Sequence, residues 1–169
     1  NNNYDFIELS EYLEEVKINY KPGDNNNDLN YVGFEHIDSN SLEIKRKGSS
    51  SKVKSNKFYF QSGDILYGKI GPKLKKIALA NFSGICSSDI IVLRPKIKEH
   101  SYVLAHAIKT EYFANLASNT VSGSIMPRAN WKLLSKIKIN HESLIESKFQ
   151  LSVKNVVEVI DGIKTNKFK

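Results

Sequence analysis

The chain has 169 residues, of which 40% are hydrophobic, so it is long enough to bury the core of one ordinary domain. It contains no apolar run of about 18 residues, which argues against a membrane-spanning helix, and its single cysteine excludes an internal disulfide. The four histidines lack metal-binding spacing and no signal peptide is visible, so we expect a cytoplasmic protein without structural zinc. Because the chain begins with three asparagines rather than methionine, we expect a piece of a longer protein or a trimmed terminus.

Charge is distributed unevenly along the chain, whose net charge is +7. Residues 1–43 carry ten acidic and two basic side chains, residues 44–76 carry one and ten, and residues 77–169 carry seven and thirteen. The three segments therefore have charges of −8, +9 and +6. A basic block beside an acidic block predicts a directional electrostatic face with a polyanion as its partner. An AT-rich genome would also enrich Lys and Asn, but it explains a local charge of +9 less well.

The first third of the chain predicts short elements. Residues 7–18 read as an amphipathic helix with Ser10 as its N-cap. Residues 31–37 (YVGFEHI) read as a strand, and residues 42–46 are a candidate partner strand. Residues 48–51 (GSSS) are typical of a flexible loop.

The middle of the chain predicts strands and then a helix. Four short strands, separated by Gly and Pro, are expected at 58–60, 64–70, 76–82 and 90–93. Apolar residues recur at helical spacing over residues 101–118, which predicts one helix. After a loop at 119–129, a helical turn is expected at Trp131–Leu134, and alternation of Ile with Lys predicts a strand at 137–139. The order favours an α+β class: a mixed or antiparallel sheet domain with a few helices.

The last segment is different, because residues 142–165 contain no Pro and only one Gly. Its apolar residues follow a heptad-like stripe, and we expect these to pair with another helix: Ile145, Phe149, Val153, Val156, Val159, Ile160 and Ile163. A helix of about 24 residues is about 36 Å long, close to the roughly 34 Å of one turn of B-DNA. We therefore predict a globular domain over 1–140 and a long spacer or dimerisation helix over 141–169. The alternative is a terminal helix that packs on its own domain.

Catalytic motifs are missing or weak. The chain has no Pro-Pro-aromatic turn of an amino-methyltransferase, no G-x-G-x-x-G and no P-loop. Asp24 with residues 43–45, and residues 146–148, resemble the carboxylate–lysine pattern of metal nucleases, but any chain rich in acids and lysines produces such matches. Cys86 has no histidine tied to it by sequence, which favours a small buried residue over a nucleophile. We predict neither a catalytic residue nor a metal site.

Three motifs in a fixed order carry the most specific signal, namely GDIL at 63–66, GKIGP at 68–72 and GICSSDIIVLRP at 84–95. Together with YVGFEHI upstream and Arg128 and Trp131 downstream, they closely resemble the target recognition domain of type I restriction–modification specificity subunits. The specificity domain of some fused restriction–methylation enzymes is similar. The resemblance covers most of residues 4–165.

The resemblance implies a domain that reads one half of a split double-stranded DNA target, and a helix that pairs with a second specificity half. It also implies that this chain is not an enzyme and binds no cofactor. A modification subunit or fused domain would methylate adenine N6 with S-adenosylmethionine, and a restriction subunit would join for cleavage. Such a subunit usually carries two recognition domains and two helices, whereas this chain has one of each. We therefore expect a half-subunit that dimerises or a piece of a longer chain.

Candidate DNA-binding residues follow from the chemistry of the two kinds of contact. Basic side chains neutralise phosphates, and the candidates are Lys45, Arg46, Lys47, Lys52, Lys54, Lys57, Lys69, Lys73, Lys75 and Lys76. Base reading needs fork geometry, amides or hydroxyls, for which Ser124, Arg128 and Asn130 are candidates, with Arg46 and residues 49–51 as further ones. The alternative function is a protein-interaction domain that assembles a complex through its long helix and has no affinity for DNA.

Overall fold

The computed structural model describes residues 5–121, 125–140, 144, 152 and 155–164. Its strands are β1 Phe6–Glu8, β2 Leu13–Val16, β3 Asn19–Tyr20, β4 Asn30–Val32, β5 Gly48–Ser49, β6 Lys57–Phe60, β7 Ile65–Gly68, β8 Ile77–Leu79, β9 Gly84–Cys86, β10 Ile90–Pro95 and β11 Lys138–Asn140. Its helices are α1 Ser101–Ile108, α2 Glu111–Asn119 and α3 Trp131–Leu134, and residues 155–164 are also helical.

The strands form three sheets. An antiparallel four-stranded sheet has the order β2-β10-β7-β8. A five-stranded sheet has the order β3-β6-β9-β4-β5 and is antiparallel except for the parallel pair of β4 and β9. Strands β1 and β11 form a separate antiparallel pair. The predicted class is confirmed: mixed and antiparallel sheets with few helices.

The four-stranded sheet is the middle of three layers. On β7, Ile65 and Tyr67 pack with the helices, while Leu66 faces the core shared with the five-stranded sheet. On β10, Ile91 and Leu93 face the helices in the same way, whereas Ile90 and Val92 face the other sheet. Because both faces are covered, these strands read as unbroken apolar runs rather than alternating ones. This sheet carries parts of the GDIL and GICSSDIIVLRP motifs on β7 and β10. A hydrophobic core on each face of the sheet holds these two strands in place.

The helix predicted for residues 7–18 is wrong. The segment forms β1, a 3-10 turn at Leu9–Glu11 and then β2. Leu13 and Val16 of β2 lie opposite Pro95 and Val92 of β10, which extends the four-stranded sheet. The apolar spacing of this segment is compatible with both structures, and pairing with a central strand outweighs the local helical pattern.

The strand prediction for 31–37 is half right. Strand β4 ends at Val32, and a 3-10 turn follows at Phe34–His36, where the Gly33 N–H donates to His36 Nδ1 at 2.9 Å. The strand expected at 42–46 is absent, since no residue of that segment is in a strand, and the strand that pairs with β4 on this edge is the two-residue β5. The pattern of apolar residues does not predict a strand as short as β5.

The prediction that residues 48–51 form a flexible loop is wrong. The segment contains β5 and the start of the 3-10 turn Ser50–Lys52, both tied to Asp28. The Ser49 and Ser50 hydroxyls donate to the Asp28 carboxylate, and the Leu29 N–H donates to Ser50 Oγ at 2.8 Å. The anchor lies more than twenty residues upstream, so composition alone could not identify it.

The helix predicted over 101–118 is two helices. The break falls at Lys109 and Thr110, and the Thr110 hydroxyl caps α2 by accepting from the Phe113 N–H at 3.2 Å. The four strands predicted in the middle of the chain are confirmed with shifted ends. The predictions 64–70 and 76–82 enclose β7 and β8, whereas 58–60 and 90–93 lie within β6 and β10. The predictions of α3 and of a strand over the region of β11 are also confirmed.

The C-terminal segment is described only in part. Of the residues expected to pair with another helix, Ile145, Phe149 and Val153 lie outside the described residues. The other four, Val156, Val159, Ile160 and Ile163, lie in the helical stretch 155–164 with 45% to 61% of their surface exposed. In the part of the chain that the structure describes, no helix is long and apolar enough to cross a membrane. The boundary between residues 140 and 141 stays a prediction.

Candidate nucleic-acid interface

Strands β7 and β10 bring distant motif residues together at their two ends. They are antiparallel, with Ile65 opposite Leu93 and Gly68 opposite Ile90. One end of the pair therefore joins the residue before β7 to the last residues of β10. The other end joins the loop after β7 to the turn before β10. The two ends have different chemistry.

The first end is an ion pair between a buried carboxylate, Asp64, and the partly exposed Arg94. Arg94 Nε and Nη2 donate to Asp64 Oδ1 and Oδ2, each at 2.8 Å, and Asp64 is only 1% exposed. Asp64 Oδ2 also accepts from the Gln61 N–H at 2.8 Å. Hydrogen bonding to Asp64 raises the pKa of Arg94 above its usual value. The GDIL and LRP motifs thus each supply one partner of a bidentate ion pair, Asp64 and Arg94. We call this end of the strand pair the anchored end.

The opposite end joins three loop segments through their backbones. The Lys69 N–H donates to the Asp89 carbonyl at 2.8 Å, and the Lys69 carbonyl accepts from the Ala129 N–H at 2.8 Å. The Gly71 N–H donates to the Pro127 carbonyl at 3.1 Å. We call this surface the recognition end and define it by residues 69–71, 87–89 and 127–129. These three backbone hydrogen bonds join the segments to one another.

Two glycines of the GKIGP motif explain why the loop after β7 has this sequence. A Cβ at Gly68 would lie 2.8 Å from the Phe34 ring and 2.9 Å from the Lys76 carbonyl oxygen, so only glycine fits between them. Gly71 has a φ of +56°, a conformation that L side chains rarely adopt. The 3-10 turn Pro72–Leu74 follows directly, with proline at its first position. The motif therefore sets the path of the loop that carries its lysines.

Two predicted phosphate contacts, Lys76 and Arg46, lie on the 3-10 turn that follows β4, and a third, Lys57, lies beside β4 itself. Lys76 Nζ donates to the Ile37 carbonyl at 2.7 Å and lies 5.4 Å from the Phe34 ring centroid. Arg46 Nη2 donates to the Glu35 carbonyl at 2.9 Å. Lys57 Nζ lies 5.9 Å from the ring centroid of Tyr31, just before this turn. Segments that are up to thirty residues apart thus place their cations along one surface that continues to the recognition end.

The other predicted phosphate contacts have different surroundings. Lys75 forms an ion pair with Glu111 of α2 at 3.2 Å, and Lys47 Nζ lies 4.6 Å from the Phe82 ring centroid. Lys69 is half-buried at the recognition end. The remaining four are exposed: Lys45, Lys52, Lys54 and Lys73. The structure therefore does not gather all ten cations at one point, and it commits Lys75 to an acid.

The three predicted base-reading residues have three different outcomes. Arg128 lies at the recognition end, where its Nη1 contacts Asp89 Oδ1 at 2.7 Å while 54% of its side chain stays exposed. Asn130 is the N-cap of α3, and its Oδ1 accepts from the Leu133 N–H at 3.1 Å. That amide oxygen is therefore engaged in helix capping. Ser124 lies outside the described residues.

Two acidic residues that the sequence reasoning did not select help to shape this surface. Asp28 holds the serines between Lys47 and Lys52, and the hydrogen bond from Ser49 is the main reason that its pKa is lowered. Asp89 holds Arg128. The DNA-binding signal in the sequence comes from basic side chains. Acidic residues that orient those basic side chains give no comparable signal. Asp89 lies in the GICSSD motif, but the sequence gives no sign that it pairs with Arg128, which lies 39 residues later.

A half-buried lysine, Lys109, links the loop after the β4 turn to the central sheet. Lys109 Nζ donates to the carbonyls of Asp38, Ser41 and Ile77 at 2.7, 2.7 and 2.6 Å. Burial lowers the pKa of Lys109 to about 8, which still leaves the ammonium mostly protonated at neutral pH. Its three donors are matched by three acceptors, so we assign this lysine to structure rather than to catalysis.

Neither Cys86 nor a cluster of metal-binding side chains gives the described residues a candidate catalytic site of the kinds weighed in the sequence. Cys86 is fully buried, and desolvation raises the pKa of its thiol to about 12, so the thiolate that a nucleophile needs is not formed. No group of three or more His, Cys, Asp and Glu side chains within the described ranges is placed to hold a metal ion. What the surface offers is a set of cations on a rigid backbone.

Comparison with known sequences gives one family. Residues 3–146 match the family described as the type I restriction modification DNA specificity domain. The type I restriction enzyme EcoDI specificity subunit of Escherichia coli is 39% identical over 118 residues, which are 66% of this chain and 26% of that protein. The chain therefore spans about a quarter of the length of this relative.

Comparison with solved structures gives the same fold. The HsdS subunit from Thermoanaerobacter tengcongensis matches with a TM-score of 0.70 and 20% identity, covering 94% of this chain and 44% of that one. A chain from a structural study of complex assembly and conformational transition of the type I R-M system matches with a TM-score of 0.72 and 19% identity. That match covers 97% of this chain and 44% of the other. This chain spans less than half the length of each.

Proposed function

This chain belongs to the type I restriction modification DNA specificity domain family, and we propose that it reads one half of a bipartite DNA target in a restriction–modification system. The family supplies sequence-specific recognition and is not catalytic. The observation that carries the proposal for this chain is the convergence of cations from separate segments on the turn after β4 and the recognition end. A catalytic reading has no comparable support in the described residues.

Phosphate contacts would hold the domain on the duplex, and side chains of the recognition end would reach the bases. Arg46, Lys57 and Lys76 each lie beside a backbone carbonyl or an aromatic ring, which limits their freedom before DNA arrives. Cations that are already ordered lose less conformational entropy on binding than free surface lysines do. The exposed lysines of the same block would add long-range attraction.

The helical stretch 155–164 would belong to a long spacer helix. Its exposed apolar residues Val156, Val159, Ile160 and Ile163 form the kind of stripe that a partner helix covers. We propose that a second specificity half supplies that partner, so that the paired helices fix the distance between the half-sites. The domain boundary near residue 140 is part of this proposal.

The chemistry would be performed by other chains or domains. A modification subunit would methylate adenine N6 with S-adenosylmethionine, and a restriction subunit would join it for cleavage. This chain would position them on the target. Because its proposed target is DNA, we propose that it acts in the cytoplasm.

The test measures DNA affinity against salt for the full polypeptide that contains this chain, assembled with its modification subunit. If about six phosphates are contacted, the association constant falls with a log–log slope of about −5. The pair Lys57→Gln and Lys69→Gln, near the recognition end, should make the slope shallower by about 2. The matched pair Lys96→Gln and Lys98→Gln, two exposed lysines just beyond the anchored end, should leave it unchanged.

A salt-insensitive affinity would contradict the proposal, as would an equal effect of both pairs. Absence of any DNA binding by the assembled complex would instead support a protein-interaction domain.

A further inference from the structure

The Asp89–Arg128 pair has features that folding alone does not require. Arg128 Nη1 contacts Asp89 Oδ1 at 2.7 Å, and the two side chains are 54% and 31% exposed. Exposed ion pairs of this kind contribute little to stability. The loops that carry the two residues are already joined by backbone hydrogen bonds on either side of Lys69. The pair is therefore dispensable for holding the loops together.

Both members of the pair have a fixed backbone. Asp89 donates its N–H to Ser87 Oγ at 3.1 Å and accepts from the Lys69 N–H through its carbonyl. Arg128 forms a β-bridge with Ile70. The Asp89 carboxylate thus orients the Arg128 side chain, and the backbone of both residues is held by hydrogen bonds. Arg128 therefore loses less conformational entropy when DNA binds.

The contact leaves the fork of the guanidinium open. Among the described residues, no group is hydrogen-bonded to Arg128 Nε or Nη2, since the contact to Asp89 uses Nη1 alone. At the anchored end, Arg94 gives both Nε and Nη2 to Asp64 and has no such edge to offer. An open Nε–Nη2 edge can donate two parallel hydrogen bonds, which matches O6 and N7 of guanine in the major groove.

The carboxylate also favours a base over a phosphate as the arginine's target. Asp89 neutralises the net charge of the pair and would repel a phosphate placed beside it. It does not alter the fork geometry that a guanine needs. We infer that Asp89 is a positioning residue for specificity, which holds Arg128 so that it reads a guanine in the half-site. This inference rests on the proposed function.

The experiment reads the methylated motif of the assembled modification enzyme by sequencing N6-methyladenine, with wild-type and variant specificity polypeptides. Wild type should show one motif with a guanine in this half-site. Arg128→Ala should reduce the preference for that guanine at least about fivefold, and Asp89→Ala should reduce it at the same position by a smaller factor. Asp89→Asn keeps an oxygen acceptor for Nη1 and should retain most of the preference.

Two controls separate positioning from folding. Glu99→Ala, an exposed carboxylate beyond the anchored end, should leave the motif unchanged. The urea midpoint of the Asp89→Ala chain should equal that of wild type.

Three results would overturn the inference. One is an unchanged motif in Arg128→Ala, and another is an equal loss at every position in Asp89→Ala. The third is a base change at different positions in the two variants. Absence of any methylated motif with the wild-type polypeptide would overturn the proposed function itself, so the two failures are distinguishable.

Discussion

The two ends of the β7/β10 pair use the same chemical group in opposite ways. Each end holds an Asp–Arg pair with contacts of 2.7 to 2.8 Å. At the anchored end the carboxylate is 1% exposed and the guanidinium is bound through two nitrogens. At the recognition end the arginine is 54% exposed and is bound through one. Burial and the number of donors used, rather than the residue types, distinguish an arginine whose Nε–Nη2 edge is occupied from one whose Nε–Nη2 edge has no hydrogen-bond partner among the described residues.

The difference has an energetic basis. A carboxylate taken out of water needs its partner, because an unpaired buried charge costs about 3–5 kcal/mol. A pair that stays in water contributes at most about 1 kcal/mol. The Asp64–Arg94 pair is therefore expected to contribute more to the stability of the fold than the Asp89–Arg128 pair.

Removal of Arg94 is the strongest way to break the comparison. Arg94→Ala leaves Asp64 buried and unpaired, so we expect a loss of about 3 kcal/mol in the free energy of unfolding. The matched variant Arg128→Ala should lose less than about 1 kcal/mol. Urea titrations followed by circular dichroism measure both, and similar losses at the two ends would contradict the distinction.

Lys109 extends the comparison to a cation that is held by three backbone carbonyls. Lys109→Met keeps the length of the side chain but leaves the carbonyls of Asp38, Ser41 and Ile77 without their donor. We expect a loss of about 2 kcal/mol in the free energy of unfolding, smaller than that of Arg94→Ala. Lys96→Met, an exposed substitution, should change thermal and urea midpoints little. If the two lysine variants behave alike, the three hydrogen bonds do not stabilise the fold.

Tyr67, between the two ends on β7, should give the smallest effect. It is 1% exposed, and no described residue accepts or donates a hydrogen bond at its hydroxyl. Because an unpaired buried hydroxyl costs free energy, Tyr67→Phe should leave the free energy of unfolding unchanged or raise it by up to about 1 kcal/mol. A measured loss of more than about 1 kcal/mol would mean that the hydroxyl has a partner in the native state.

The sequence predicts this fold best where local pattern and burial agree. The apolar runs of β7 and β10 were recognised because both of their faces are buried, and the GKIGP glycines mark a close approach and a left-handed turn. Side-chain chemistry selects Arg128 as a candidate for base reading, and the structure places it at the recognition end beside Asp89. Prediction failed where the deciding partner is distant, as for residues 7–18, whose partner β10 begins about seventy residues later. The same reason hides Asp28, which orders the serine loop.

The distribution of charge along the sequence predicts a basic surface but not the surroundings of each cation. The +9 block of residues 44–76 identified a basic surface, yet within it Lys75 is paired with Glu111 while Lys76 lies on the turn after β4. Two neighbouring lysines thus face different surroundings because Lys75 has a left-handed φ of 51° and redirects the chain. Local composition cannot resolve such a change of direction.

The central claim is that this chain reads one half of the target, and exchange of the domain tests it most directly. The segment of the full polypeptide that corresponds to this chain would be replaced by the matching segment of the EcoDI specificity subunit, and the methylated DNA motif would be sequenced with the same modification subunit. We expect one half of the motif to change while the other half stays the same. An unchanged motif from an intact, methylating complex would contradict the account.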